Sequence, residues 1–307
     1  MKSRKFSSKV LLFGEYSIIK SSWGLATNYD LFDGQLRFPT GSDTKRPAVD
    51  SELNAFAEYL HRTDLSLYNG CQFDCSSFKF DVGQGLYFDS TIPQGYGVGS
   101  SGALCAAVFD RYCINREEIE RDISLLKRVL AQMESHFHGS SSGLDPLISY
   151  LNCPLLIQEQ DIPTKVDLAP PAAEDDDWVF FLLDTGRPRR TEPLVQLFLE
   201  KCKDPKFSYR CEVELKRITN ECITNFIEHN FTDLNSNYRR LSSFQLENFT
   251  PMIPNLYLDI WQQGLKNNNY YLKLCGAGGG GFLMGIARNR KVLQDNLHSQ
   301  RYKTLTW

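Results

Sequence analysis

The sequence predicts a protein that mixes strands and helices, and three observations carry that expectation. Apolar residues alternate in some stretches and recur at every third or fourth position in others. A glycine-rich loop follows the apolar segment that ends at Pro93 and precedes an Ala-rich helical pattern opening at Ser100. The 307 residues, 42% hydrophobic and 23% charged, suffice to bury a large core in one long domain or two ordinary ones.

In chain order, Ser8 to Asn28 reads as strand, turn, strand, and so as a β-hairpin. Gly34 to Phe38 and Phe78 to Phe88 read as further alternating, aromatic-rich segments, with a helix from Asp50 to Arg62 between them, capped by Asp50 or Ser51. Ser100 to Cys113 is the next helix. Asn115 then caps a longer one, on which Ile119, Ile123, Leu126, Leu130, Met133 and Phe137 form one apolar stripe. That helix ends in a second glycine and serine loop, 138–146. Pro163, Pro170, Pro171 and the acidic run Glu174 to Asp177 mark an exposed connection, and the domain boundary is expected near it. Beyond lie a strand, Val179 to Asp184, a polar loop, Thr185 to Thr191, and helical patterns over roughly 192–203, 208–229, 232–248 and 255–267. A strand, Tyr270 to Leu274, then leads through Cys275-Gly-Ala-Gly-Gly-Gly-Gly281 into a partner strand, Phe282 to Ala287.

A net charge of -3 gives no basic excess to recommend nucleic acid and no polybasic tail to recommend a membrane surface. The apolar run Val10 to Phe13 is too short for a signal-peptide core, and nothing reaches transmembrane length. The nine cysteines are scattered and never in Cys-x-x-Cys spacing, so they read as reduced thiols of a cytoplasmic protein.

Residues 93–102 form a potential anion cradle. Pro93 leads into Gly95, Gly97 and Gly99, which allow close backbone approach; Ser100, Ser101 and Gly102 then open a helix whose free N–H groups and dipole favour an anion, with a polyphosphate the natural guest. Taken alone, the same residues read equally well as a tight turn with a serine cap. The loop is neither a Walker A sequence nor the dinucleotide fingerprint, because no Gly-Lys-Ser/Thr follows and serines stand where a third glycine is needed. Two more glycine-rich segments, 139–143 and 276–281, suggest a shared ligand.

At this point the chain resembles the GHMP kinases along nearly its whole length. Lys9-Val-Leu-Leu-Phe-Gly-Glu-Tyr resembles the family's first motif, Pro93-x-x-x-Gly97-Val-Gly-Ser-Ser-Gly-Ala its ATP-phosphate loop, and Lys273-Leu-Cys-Gly-Ala-Gly-Gly-Gly-Gly its third. Within the family, Glu134-Ser-His-Phe-His138-Gly-Ser-Ser-Ser-Gly-Leu-Asp145 and Thr185-Gly-Arg-Pro-Arg189-Arg-Thr191 look most like mevalonate kinases. Tyr16 stands where those usually carry His, Ser141 where Pro is usual, and Pro146 where Asn is common. Tyr16 and the Gly-Ser-Ser-Gly-Ala run point partly to phosphomevalonate kinase.

The resemblance implies an α+β, two-domain GHMP kinase fold: an N-terminal ATP-binding domain, 1–165, like the second domain of ribosomal protein S5, and a ferredoxin-like C-terminal domain, 166–307. ATP and acceptor would meet in the cleft between them. It implies ATP and Mg²⁺ as cofactors and mevalonate as acceptor, with no nucleic acid or membrane partner; a homodimer is compatible with it. Asp145 would take the proton of the acceptor hydroxyl and Lys9 would stabilise the phosphoryl oxygens. Glu134, four residues after Leu130 and so on the apolar stripe, would hold Mg²⁺ together with Ser101. Pro93, Gly95, Gly97, Gly99, Ser100, Ser101, Gly102, Gly276, Gly278 and Gly279 would line the nucleotide. Glu15, Tyr16, Arg189 and Thr191 would line the acceptor pocket, the guanidinium matching a carboxylate. The rivals are phosphomevalonate kinase, a sugar or amino-acid kinase of the same family, and a silent member acting as a binding module. No chemical role is assigned to His138.

Overall fold

The computed structural model describes residues 4–39, 49–67, 70–158, 162–168, 178–189 and 192–305, so Arg190, Thr191 and the acidic run Glu174 to Asp177 lie outside the described residues. By its internal contacts the chain divides into two units. One comprises Met1–Lys9, Thr27–Pro93 and Val98–Cys153; the other comprises Val10–Ala26, Gln94–Gly97 and Pro154–Trp307.

The strands β1 (Phe6–Phe13) and β2 (Gly24–Arg37) contribute residues to both units. In the first unit they are followed by α1 (Ser51–Arg62), α2 (Cys75–Gly83), β3 (Tyr87–Ser90), α3 (Ser100–Tyr112), α4 (Arg116–Ile119), α5 (Ile123–His138) and α6 (Leu144–Leu151). β3 pairs antiparallel with β2 from Gly34↔Ser90 to Arg37↔Tyr87. Asp50 caps α1, its Oδ1 accepting from the backbone N–H of Glu52 and Leu53 at 3.0 and 3.1 Å. Leu53, Phe56, Ala57 and Leu60 form the buried face of that helix.

Three local expectations fail here for identifiable reasons. The stretch from Phe78 is helical before it is extended: Asp74 caps α2 by accepting from Ser77 N–H at 2.9 Å, and Phe78 and Val82 are buried one helical turn apart. Phe80, which made the stretch look alternating, is 66% exposed. The long helix after Asn115 is broken. Asp122 caps α5 afresh, accepting from Ser124 and Leu125 N–H, while Asn115 accepts from Gln72 N–H at 2.8 Å. Asp145, expected at the end of a loop, lies in the first turn of α6, where Pro146 is tolerated because its missing N–H has no intrahelical partner to lose.

The second unit continues with β4 (Leu155–Ile157), β5 (Pro163–Lys165), β6 (Val179–Asp184), α7 (Glu192–Lys201), α8 (Pro205–Arg210), α9 (Lys216–Ile227), α10 (Phe231–Asn248), α11 (Leu258–Asn267), β7 (Tyr270–Leu274), β8 (Phe282–Ala287), α12 (Arg290–Leu297) and β9 (Tyr302–Thr304). A π-helical turn, Cys211–Leu215, joins α8 to α9. β4 pairs antiparallel with the start of β2 and with β5. The other sheet has the order β7-β8-β6-β9, with antiparallel ladders throughout. Its centre is apolar: Phe180, Phe181, Leu182 and Leu183 of β6 are fully buried, and Phe226 of α9 meets Phe180 edge-on at 5.3 Å. The strands and helices expected over 179–287 are all present, within a few residues of their expected bounds. Among the described residues no helix is long and apolar enough to cross a membrane.

Candidate active site

The first unit gathers Lys9, Gly99, Ser100, Ser101, Gly102, Glu134 and Asp145 of the predicted residues around the start of α3. Gly99 precedes that helix with φ +79 and has no side chain to cap it; among the described residues no side chain accepts from the N–H groups of its first turn. A side chain at Gly99 would put its Cβ 2.8 Å from Lys9 Cγ; glycine therefore lets the lysine stem lie against the helix entry. Lys9 N–H donates to Val98 O at 2.9 Å, which anchors β1 to the same turn. Its side chain is 8% exposed, and its ammonium stands 2.9 Å from Asp145 Oδ1. The aspartate is 32% exposed, so one face of the carboxylate is open to an incoming group. Its position at the start of α6 sets that charge at the favourable end of a helix dipole.

Gly102 serves packing more than ligand approach. A Cβ there would lie 2.7 Å from the Asp145 carbonyl carbon and 2.8 Å from Pro146 N, so the residue sets how closely α3 and α6 approach. Glu134, on α5, is 4% exposed. Its Oε1 accepts from Ser101 Oγ at 3.1 Å, and its Oε2 accepts from Ser141 Oγ. Burial, reinforced by the nearby Asp145 charge, pushes its carboxyl up to about 7 against the pull of the two serines and Lys9. Ser101 Oγ is also 3.0 Å from His138 Nε2. His138 and Ser141 were given no role by sequence reasoning. The departure from proline at 141 was the available signal for the serine, and the one-turn spacing from Glu134 for the histidine.

The second unit holds Glu15, Tyr16, Gly95, Gly97, Arg189, Gly276, Gly278 and Gly279. Glu15 and Lys273 form a buried ion pair, with side chains 1% and 0% exposed. The carboxylate oxygen that takes the ammonium also accepts from Gly276 N–H at 3.4 Å, which ties the third glycine loop to the segment after β1. Burial raises the Glu15 carboxyl despite Lys273. Tyr16, at the left-handed φ of 61, donates its hydroxyl to Ala277 O at 2.5 Å, and its ring packs on Phe198 and Phe249. Arg189 is threaded between glycines: a Cβ at Gly97 or at Gly276 would collide with its guanidinium. It donates through Nη1 to Gly278 O at 3.2 Å and through its backbone N–H to Gly95 O at 2.8 Å. The N–H groups of Gly279 and Gly281 are committed to Met252 O and Arg187 O. Among the described residues no group of three or more His, Cys, Asp or Glu side chains is placed to hold a metal.

Residues 56–152 match the family model described as the GHMP kinases N terminal domain. No curated protein sequence matches the chain. Among solved structures it is similar to mevalonate kinase from Methanococcus jannaschii, at 17% identity over 99% of this chain and 96% of that one, with a TM-score of 0.62. It is also similar to phosphomevalonate kinase from Streptococcus pneumoniae, at 12% identity over 100% and 99% of the two chains and a TM-score of 0.66. Lactococcus lactis galactokinase complexed with galactose matches at 14% identity over 99% and 93%, with a TM-score of 0.63. These three differ in acceptor, so the likeness does not choose among them.

Proposed function

We propose that this chain, whose residues 56–152 match the GHMP kinase N-terminal model and which has that fold along its full length, is a GHMP kinase that transfers the γ-phosphoryl group of ATP to the primary hydroxyl of mevalonate. The observation that carries the reading is the Lys9–Asp145 pair at 2.9 Å, whose charges act on Glu134, itself in contact with Ser101. Phosphoryl transfer needs mainly positioning and charge neutralisation, and these residues are suited to both.

Asp145 accepts the proton of the acceptor hydroxyl as its oxygen bonds to the γ-phosphorus; the bond to the bridging oxygen breaks and ADP leaves. Lys9, held against Asp145, orients that carboxylate and offsets charge on the transferring oxygens. The uncapped first turn of α3 suits phosphate oxygens, which would accept from its free N–H groups. Ser101 and Glu134 are hard oxygen donors in mutual contact, and a buried carboxylate with no cationic hydrogen-bond partner among the described residues suits Mg²⁺. Mg²⁺, when bound, neutralises charge on the phosphates. Arg189, in the second unit, carries a planar guanidinium of the kind that binds a carboxylate in bidentate fashion.

The test is ADP release by purified protein given ATP and Mg²⁺, with mevalonate, mevalonate 5-phosphate, galactose and homoserine supplied separately. Release with mevalonate above the other three is expected. Preference for the phosphorylated acceptor would move the reading to phosphomevalonate kinase, and no acceptor-dependent release would remove it.

A further inference from the structure

Ser141 stands in a position that the phosphoryl-transfer scheme leaves without a task. Its hydroxyl has one proton and two lone pairs. Gly143 N–H donates to the oxygen at 2.9 Å, and the oxygen's own proton is directed at Glu134 Oε2. The loop that holds this serine is itself fixed. Gly143 has φ +74, and a Cβ there would collide with Lys127 O and lie 2.9 Å from Ala131 Cβ, so the turn is pressed onto α5, the helix that carries Glu134. The carboxylate is thereby held from behind. Oε2 is engaged by Ser141, while Oε1 faces the hydroxyl of Ser101.

We propose that Ser141 is a positioning residue that sets cation preference, by occupying Glu134 Oε2 so that the carboxylate can offer only Oε1 to a metal. The inference rests on the reading of Ser101 and Glu134 as the cation-binding pair. Mg²⁺ and Mn²⁺ are small cations that a single carboxylate oxygen, a hydroxyl, phosphate oxygens and water can satisfy. Ca²⁺ is larger, takes six to eight oxygens, and gains from a carboxylate that binds through both of its own. A serine hydrogen-bonded to one oxygen therefore favours the smaller ions twice over. It orients the oxygen that remains, and it obstructs the two-oxygen mode.

The experiment measures binding directly on the full chain with a non-hydrolysable ATP analogue. Free Mn²⁺ is followed by electron paramagnetic resonance, and Mg²⁺ and Ca²⁺ are then used as competitors. Ser141→Ala should weaken Mn²⁺ and Mg²⁺ by about tenfold, the lower end of what partners hydrogen-bonded to metal ligands are worth. Ca²⁺ should weaken less or bind more tightly, which shifts the Mn²⁺ to Ca²⁺ affinity ratio towards Ca²⁺. Ser141→Thr keeps the hydroxyl and should retain the wild-type ratio. If the alanine variant does not fold, Ser141→Cys, similar in size with a much weaker donor, takes its place with the same expected direction. A ratio unchanged in the Ala or Cys variant, or shifted towards Mn²⁺, overturns the proposal. Glu134→Gln separates this from the underlying assignment: if that variant binds Mn²⁺ as the wild type does, the cation site itself is misassigned and the inference about Ser141 falls with it.

Discussion

Glu134→Gln should stabilise the ligand-free protein at alkaline pH. The carboxyl is buried and raised from 4.5 to about 7, chiefly by loss of solvation and then by the charge of Asp145. At about 1.4 kcal/mol per pH unit, holding it ionised in the folded state costs about 3 kcal/mol relative to the unfolded chain. The sign follows from the raised value: this group's contribution to stability is fully present below pH 4.5 and is lost as pH rises through about 7. Glutamine removes the charge but keeps one acceptor, so one of the two serine hydroxyls must turn to another partner, at about 1 kcal/mol. The net expectation is a gain of about 2 kcal/mol at pH 8.5 and little change or a small loss at pH 4.5. Urea unfolding of both proteins at the two pH values reads this directly. A variant no more stable than the wild type at pH 8.5, or one with an unchanged pH dependence, would refute the electrostatic argument. The carboxylate that destabilises the empty protein is the one assigned to the cation, as expected where a site is built at the expense of stability.

Other perturbations act through packing. Gly102→Ala places a methyl group against the backbone of Asp145 and Pro146, which cannot turn aside; a loss of about 1–3 kcal/mol in urea unfolding and a parallel fall in kcat are expected. Gly97→Ala meets both an unfavourable φ of +74 and the guanidinium of Arg189. Steady-state kinetics should show the KM of a carboxylate acceptor rising more than kcat falls. Lys273→Met strands the buried Glu15 carboxylate and should cost about 3–5 kcal/mol in chemical denaturation, whereas adding Glu15→Gln to it should recover part of that loss.

Within the second unit, residues 179–287 were legible because their signals agree, whereas the short strands β4, β5 and β9 and the helix α12 went unread. The buried runs at 179–184 and 282–287 and the periodic stripes of α9 to α11 each point to one element type. The first unit was harder where signals compete. Phe80 mimicked strand alternation from the wet side of a helix, and Asp122 interrupted an apolar stripe that periodicity alone runs through. The glycine loops were visible as loops, but their tasks were not. Gly102 and Gly143 permit close packing, and Gly97 and Gly276 make room for Arg189, distinctions that depend on what each glycine faces in space. The contacts of Ser141 and His138 were equally hidden, because each depends on how α5 and the following loop fold back on Ser101 and Glu134.

The most direct test of the phosphoryl-transfer account is a single-turnover measurement with γ-labelled ATP, Mg²⁺ and mevalonate, comparing the wild type with Asp145→Asn. The wild type should move the label to the acceptor hydroxyl. The variant should bind ATP with near-normal affinity and transfer the label on the order of a thousandfold more slowly. Equal transfer rates in the two proteins would contradict the assignment of Asp145 as the proton acceptor.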